Sequence, residues 1–219
     1  MRCKWRVTLV LLGCLAGPVV GRTAEAQLVN GDFESGSYSF DSNNVDSLAL
    51  GSTNITGWTT LNAELAVINQ PNNFALLAQS GTKHLDLTGY HDSTPYAGIQ
   101  QTVNTLPGQT YVLQFYVGSS GGGTSSVAVD TGSGPTTFSN TGSSFWQQST
   151  DIFTATGPTT LIKFTGTAAS GGGRYLGLDN VTLALATPEP GPLALFIGLG
   201  MTSLGALIRK RRLPILKSD

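Results

Sequence analysis

Short apolar runs with a period of two recur through the middle of the chain, and breakers rich in glycine and proline separate them. In residues 111–117 the large apolar side chains Tyr111, Leu113, Phe115 and Val117 occupy every second position. Successive side chains of a β-strand point to opposite faces, so this spacing predicts strands with one buried face. No stretch before residue 190 keeps a helical period over three turns. The pattern predicts one all-β domain, a β-sandwich or jelly roll.

The chain as a whole is nearly neutral, but its middle part is strongly acidic. The sequence has 12 Lys+Arg and 13 Asp+Glu, but residues 27–186 hold only three of these bases against ten acids, a net charge of −7. A domain this acidic lacks the basic surface that nucleic acid requires. It would also repel acidic polysaccharide unless a cation such as calcium bridged the two.

Both cysteines, Cys3 and Cys14, precede residue 27. The domain that follows therefore has no disulfide, no thiolate nucleophile and no cysteine-based zinc site. Its length of about 160 residues is enough for a hydrophobic core without such cross-links.

Residues 1–26 predict a secretory signal peptide. Basic residues precede an apolar stretch over 7–20, and Ala24 and Ala26 form an Ala-x-Ala cleavage site. Two alternatives stay open, a lipobox that would leave a lipidated Cys14 at the N-terminus and a permanent membrane anchor. We expect export of the mature chain by Sec-type machinery.

Residues 187–212 combine three features in a fixed order. A Pro-Glu-Pro motif comes first, an apolar run over 193–208 follows, and a basic cluster ends the segment. The run is at the short end of what spans a bilayer as a helix, and the cluster would hold its end on the cytoplasmic side. Residues 213–219 form a short tail. The motif and cluster residues are Pro188, Glu189, Pro190, Arg209, Lys210, Arg211 and Arg212.

This tripartite tail resembles the PEP-CTERM sorting signal of bacteria that produce exopolysaccharide. The resemblance implies that a membrane protease, exosortase, acts near the Pro-Glu-Pro motif and releases or transfers the exported domain. It implies an intermediate in the inner membrane and a final place at the cell surface or in the extracellular matrix. The alternative is a plain C-terminal anchor, and whether the product stays attached is open.

Six motifs between residues 28 and 183 occur in an order that resembles the galactose-binding-like jelly roll. The nearest relatives in this resemblance are a cell-wall-associated family of unknown function and sugar-binding modules that share the Asn-Gly-x-Phe-Glu opening. It implies a single β-sandwich over 27–186 and a glycan partner, either exopolysaccharide or cell-wall glycan. The motifs lie at 28–34, 55–58, 84–89, 98–103, 107–115 and 178–183.

The resemblance also implies a structural calcium site. In many modules of this type the first and last strands lie side by side, so Glu34 and Asp179 would share the ion. Glu34 falls on the same side of the predicted first strand as Asp32. The alternative is that these carboxylates are turn and cap residues.

Aromatic side chains in a polar loop are the candidate glycan contacts. Sugar rings have an apolar face that stacks on tyrosine or tryptophan, while polar groups bond the hydroxyls. Tyr90, His91 and Tyr96 lie in such a loop, and we predict that they bind the ligand. Tyr175, Trp58 and Trp146 are further candidates, with core packing as the alternative for the two tryptophans.

Catalytic motifs are absent from the sequence between residues 27 and 186. His84 and Asp86 are predicted to share a strand face, but no Gly-x-Ser-x-Gly elbow completes a triad, so His84 is expected to be a polar surface residue. We predict a non-catalytic, glycan-binding protein of the cell surface or exopolysaccharide matrix. A structural protein that self-associates is the alternative, and a glycan hydrolase is a third hypothesis.

Overall fold

The computed structural model describes residues 28–72, 76–92, 94–119, 123–142, 145–169 and 175–186. The predicted signal peptide, sorting signal and C-terminal tail lie outside these ranges. Within them no helix is long and apolar enough to cross a membrane. The described residues form the strands β1 (Val45–Leu48), β2 (Thr59–Leu61), β3 (Leu65–Asn69), β4 (Lys83–Asp86), β5 (Gly98–Asn104), β6 (Thr110–Ser119), β7 (Ser125–Asp130), β8 (Thr136–Asn140), β9 (Trp146–Thr154), β10 (Thr159–Ala169) and β11 (Leu176–Leu185).

The strands form two antiparallel sheets that pack face to face. One sheet has six strands in the order β1-β3-β4-β11-β6-β9, and the other has five in the order β2-β5-β10-β7-β8. Most strands that follow one another in sequence lie in different sheets, which is the winding of a jelly roll. The predicted all-β jelly-roll fold is confirmed.

The core between the sheets follows from the period-two pattern. Leu113 and Phe115 of β6 and Phe164 of β10 are fully buried, and the rings of Phe115 and Phe164 lie edge to face at 5.1 Å. Trp58 is 2% exposed, and its Nε1 donates to the carbonyls of Val29 and Asn30 at 3.0 Å. Core packing is therefore the role of Trp58.

The opening segment differs from the prediction, because Asp32 and Glu34 do not lie on a strand. Asn30 and Phe33 have φ of 54° and 56°, a left-handed conformation that interrupts an extended chain. The segment still lies against β11, where Val181 N donates to the carbonyl of Gly31 at 2.8 Å. The first strand begins only at Val45 and lies at the sheet edge, away from β11.

The face of the six-stranded sheet that points away from the core, here called the outer face, carries a pair of glycines. Gly118 of β6 and Gly177 of β11 are register partners. A Cβ at Gly177 would lie 2.7 Å from Leu76 Cδ2 and 2.8 Å from the ring of Trp146, and one at Gly118 would meet the same two side chains. Leu76 and Trp146 therefore pack directly on the sheet backbone.

Alanine at this pair is expected to destabilise the fold. In Gly177→Ala the new methyl overlaps the indole of Trp146 and Leu76, and overpacking of this kind costs about 1–3 kcal/mol. Gly157→Ala is the matched control, because its nearest neighbour would be Thr159 O at 3.5 Å. Urea unfolding of the three proteins measures the difference. Equal stability of Gly177→Ala and the parent would contradict the tight contact.

Candidate functional site

One half of the outer face is covered by another segment of the chain, and the other half is open. The segment 76–82 lies over β11 and β6, where Leu76 is buried and Trp146 Nε1 donates to the carbonyl of Leu77 at 2.8 Å. Over β1, β3 and β4 the face opens into a cavity of about 360 Å³, here called the outer cleft. The outer cleft is lined by Asn43, Val45, Ala66, Ile68, Asp86, Gly89, Tyr90, Asp92 and Tyr175.

The floor of the outer cleft is a second apolar cluster, separate from the main core. Val45 of β1 and Ala66 and Ile68 of β3 form it, and Tyr175 packs against it. Residues 65–68 are apolar at every position, so β3 is apolar on both faces. Such a strand needs cover on both sides. This unbroken apolar run is the signal in the sequence that indicates the site, and it departs from the period-two pattern of the other strands.

One wall of the outer cleft is the turn that carries Tyr90. Glu64 fixes this turn, since its Oε1 accepts the backbone N–H of Tyr90 at 2.8 Å and its Oε2 lies 3.1 Å from His91 Nδ1. Asn43 Nδ2 donates to the Tyr90 hydroxyl at 3.1 Å from the opposite loop. Tyr90 is 44% exposed, so its ring is held in place and still open to a ligand.

Two aspartates give the outer cleft its charge. The Thr88 hydroxyl lies 2.7 Å from Asp86 Oδ1 and 3.2 Å from Asp92 Oδ1, so both carboxyl groups meet at one side chain. Burial raises the pKa of Asp86 to about 7, although hydrogen bonds from Thr88 and Leu176 act in the opposite direction. Asp86 is therefore partly protonated near neutral pH, and it can donate or accept a hydrogen bond.

The three residues predicted to bind the ligand lie in different places in the structure. Tyr90 lines the outer cleft, together with Tyr175. His91 points outward, with its side chain 72% exposed, and pairs with Glu64. Tyr96 packs beside Gly166 of the five-stranded sheet, and its hydroxyl donates to the carbonyl of Ala169 at 3.4 Å. The prediction of a ligand contact is retained for Tyr90 and for the further candidate Tyr175, and the geometry adds Asn43, Asp86 and Asp92.

The carboxylate of Glu34 holds the segment that leads into β4. Its Oε1 accepts the backbone N–H groups of Thr82 and Lys83 at 2.7 Å, and Lys83 Nζ lies 3.0 Å from Oε2. Asp179 holds the preceding part of the same segment, since its Oδ2 accepts the backbone N–H groups of Gln79 and Ser80 at 2.8 and 2.9 Å.

These contacts bear on the predicted calcium site. N–H donors already point at the oxygens of Glu34 and Asp179, and a cation requires oxygen ligands in their place. The described part of the chain also has no group of three His, Cys, Asp or Glu side chains that could hold a metal ion. This donor set does not fit calcium, and a dependence on calcium stays a prediction for the binding experiment.

His84 is buried, and the expectation that it is a surface residue is wrong. It is 0% exposed because Trp146 covers this part of the outer face, with the two rings edge to face at 5.7 Å. Neither ring nitrogen has a hydrogen-bond partner among the described residues. Asp86 bonds Thr88 and Leu176 instead of His84. Burial lowers the pKa of His84 to about 4.

Replacing His84 by leucine is expected to raise stability most under acidic conditions. The unfolded chain takes up a proton on His84 below about pH 6.5, whereas the folded chain does so only near 4. Stability is therefore lost as the pH falls through this window. The advantage of His84→Leu over the parent should grow by about 2 kcal/mol between pH 7 and pH 5. Urea unfolding of both proteins at the two pH values measures this, and a difference independent of pH would contradict it.

A comparison with known proteins finds one family. The sequence profile of a family described as "Protein of unknown function (DUF642)" matches residues 26–178. No curated protein matches the chain. The family match confirms the resemblance to a family of unknown function.

Several solved structures resemble the domain at low sequence identity. A structure described as "CBM4 structure and function" has 18% identity and a TM-score of 0.38, covering 72% of this chain and 98% of that one. A CBM35 from Paenibacillus barcinonensis has 15% identity and a TM-score of 0.41, covering 64% and 98%. The CBM22-1 xylan-binding domain of Xyn10C from the same organism has 16% identity and a TM-score of 0.39, covering 69% and 99%. At these scores the likenesses carry no argument about the ligand of this chain.

Proposed function

The chain belongs to the DUF642 family, and we propose that its β-sandwich is a non-catalytic glycan-binding domain whose binding site is the outer cleft. The observation that carries this proposal is the meeting of two tyrosines, two carboxyl groups and an amide over an apolar floor. A sugar ring needs such a mixture, since its C–H face packs on an aromatic ring and its hydroxyls bond polar side chains.

The rigidity of the walls supports binding. Tyr90 is held through its backbone by Glu64 and through its hydroxyl by Asn43. Tyr175 packs on the floor of the cleft, and the carbonyl of the same residue accepts from Ser125 Oγ at 2.8 Å. Side chains that are fixed before the ligand arrives lose little entropy when it binds. A cavity of about 360 Å³ is large enough for one or two sugar units.

We further propose that the domain acts outside the cell. The predicted signal peptide at 1–26 and the sorting signal at 187–212 would bring the domain to the cell surface or the exopolysaccharide matrix. Exosortase is the processing partner that the tail implies. At the cell surface or in the matrix, a cleft for sugars would hold the protein to exopolysaccharide or cell-wall glycan.

Alanine in place of either cleft tyrosine is expected to weaken glycan binding about tenfold. The loss of an aromatic anchor costs about 1–2 kcal/mol, and 1.4 kcal/mol corresponds to a factor of ten in Kd. Tyr96→Ala is the matched control, because Tyr96 lies outside the outer cleft. Calorimetric titration of the purified protein and of Tyr90→Ala, Tyr175→Ala and Tyr96→Ala with the host exopolysaccharide and a glycan panel measures Kd.

The outcomes of this titration distinguish the glycan-binding function from its alternatives. A chelator arm tests the predicted dependence on calcium, and loss of binding on chelation would support that dependence. Equal glycan affinity of all three tyrosine variants would show that the binding site lies outside the outer cleft. Folded protein that binds no glycan and assembles with rising concentration would favour the self-associating matrix protein. Shortened glycan products would favour a hydrolase.

Replacing the Pro-Glu-Pro motif is expected to block sorting. With Pro188, Glu189 and Pro190 changed to alanine, the chain should remain in the inner membrane at its unprocessed mass, because the processing site is lost while the apolar run is intact. Immunoblots of membrane and extracellular fractions measure the distribution. A matched variant changes three residues of the tail after 212 to alanine and should be sorted normally. Normal processing of the altered motif would contradict a role as the sorting signal.

A further inference from the structure

None of the described residues that line the outer cleft is a lysine or an arginine. Lys83 and Lys163 are the only bases in the described part of the chain. Lys83 pairs with Glu34 at 3.0 Å, and Lys163 pairs with Asp130 at 3.4 Å, both outside the cleft. An acidic sugar in the cleft would therefore meet two carboxyl groups and no lysine or arginine among the described lining residues. These carboxyl groups favour neutral or positively charged ligands.

One oxygen of Asp86 is left for a ligand. Asp86 is 2% exposed and lines the outer cleft. Its Oδ1 accepts the Thr88 backbone N–H at 3.0 Å, the Thr88 hydroxyl at 2.7 Å and the Leu176 N–H at 3.2 Å. No described residue donates to Oδ2. Because the side chain lines the outer cleft, Oδ2 is the oxygen that is available to a donor on a ligand there.

Asp92 and two tyrosines lie beside Asp86 in the outer cleft. Asp92 lies across Thr88 from Asp86, with Oδ1 at 3.2 Å from the Thr88 hydroxyl. Tyr90 and Tyr175 line the same cavity, and an aromatic face attracts a cation as well as a sugar ring. Two carboxyl groups and two aromatic rings suit an ammonium group, because each carboxylate can accept a charge-assisted hydrogen bond.

We propose that the outer cleft binds a sugar that carries a protonated amine, such as an unacetylated hexosamine unit of a polysaccharide. This inference rests on the proposed function, because it places the sugar ring against the tyrosines of the same cleft. The ammonium group lies between Asp86 and Asp92 and donates to Asp86 Oδ2. A polysaccharide that is partly de-N-acetylated is the ligand class that this chemistry fits.

Binding of an ammonium group at Asp86 is expected to depend on pH through Asp86 itself. The other titratable side chains that line the cleft are Asp92, Tyr90 and Tyr175, and burial together with the two aspartates raises the pKa of Tyr175 to about 12. Tyr175 therefore stays neutral in the working range. An ammonium group at Oδ2 favours the ionised form of Asp86 and displaces its proton.

Matched oligosaccharides test the inference on the purified protein. Calorimetric titrations at pH 6, where the amine is protonated, compare a glucosamine hexamer, an N-acetylglucosamine hexamer and a uronic acid hexamer. The glucosamine hexamer should bind at least tenfold more tightly than the acetylated one, and the uronic acid hexamer should not bind. Repeating the glucosamine titration in two buffers of different ionisation enthalpy should show release of protons, because Asp86 gives its proton to the buffer when the ammonium group binds.

Asp92→Asn is the decisive variant. Asp92 has a φ of 49°, a conformation that asparagine accepts readily, so the turn is kept. The variant should lose at least fivefold in affinity for the glucosamine hexamer and keep its affinity for the acetylated hexamer. Asp32→Asn removes one charge outside the outer cleft and should change neither affinity.

Each remaining outcome overturns the inference in a distinguishable way. Equal or tighter binding of the acetylated hexamer removes the amine preference but leaves the proposed glycan function intact. Tightest binding of the uronic acid hexamer also overturns it, and would direct attention to Arg174, which lies outside the described residues. Equal losses in Asp92→Asn and Asp32→Asn show only general attraction to an acidic domain. Absence of binding to every glycan rejects the proposed function as well.

Discussion

The buried carboxylate of Asp179 is the contact on which the division of the outer face depends. It lies on the central strand β11, next to the irregularity where Asn180 adopts a φ of 49°. By accepting the backbone N–H groups of Gln79 and Ser80, it fixes the middle of the segment 76–82, whose first residue Leu76 packs on the glycine pair. Half of the sheet is thereby closed. The other half, with its apolar floor of Val45, Ala66 and Ile68, stays open as the outer cleft.

Much of the fold follows from the alternation of side chains. The strands β6, β7 and β10 lie where the period-two runs predict them, because their inward positions build the main core. The opening segment could not be predicted, since the positive φ of Asn30 and Phe33 comes from local hydrogen bonds and contact with β11. β1 and β8 lie in regions without a recognisable motif, and pairing with β3 and β7 defines them.

The candidate site was only partly predictable for a related reason. Tyr90 and Tyr96 stand in similar polar sequence, yet the turn held by Glu64 directs Tyr90 into the outer cleft while Tyr96 joins the other sheet. The sequence predicts a surface position for His84 because the residue that buries it, Trp146, is distant in sequence. Sequence spacing identifies which residues share a strand face. It does not identify which part of that face another segment covers.

The central claim is that the ligand occupies the open half of the outer face, and chemical-shift mapping tests it most directly. Isotope-labelled protein is titrated with oligosaccharides prepared from the host exopolysaccharide, and backbone amide shifts are followed to saturation. The account predicts that the largest changes occur at Asn43, Tyr90, Asp92 and Tyr175, which line one cavity. Changes concentrated on the exposed edge strands β8 and β9, or on the five-stranded sheet, would contradict it.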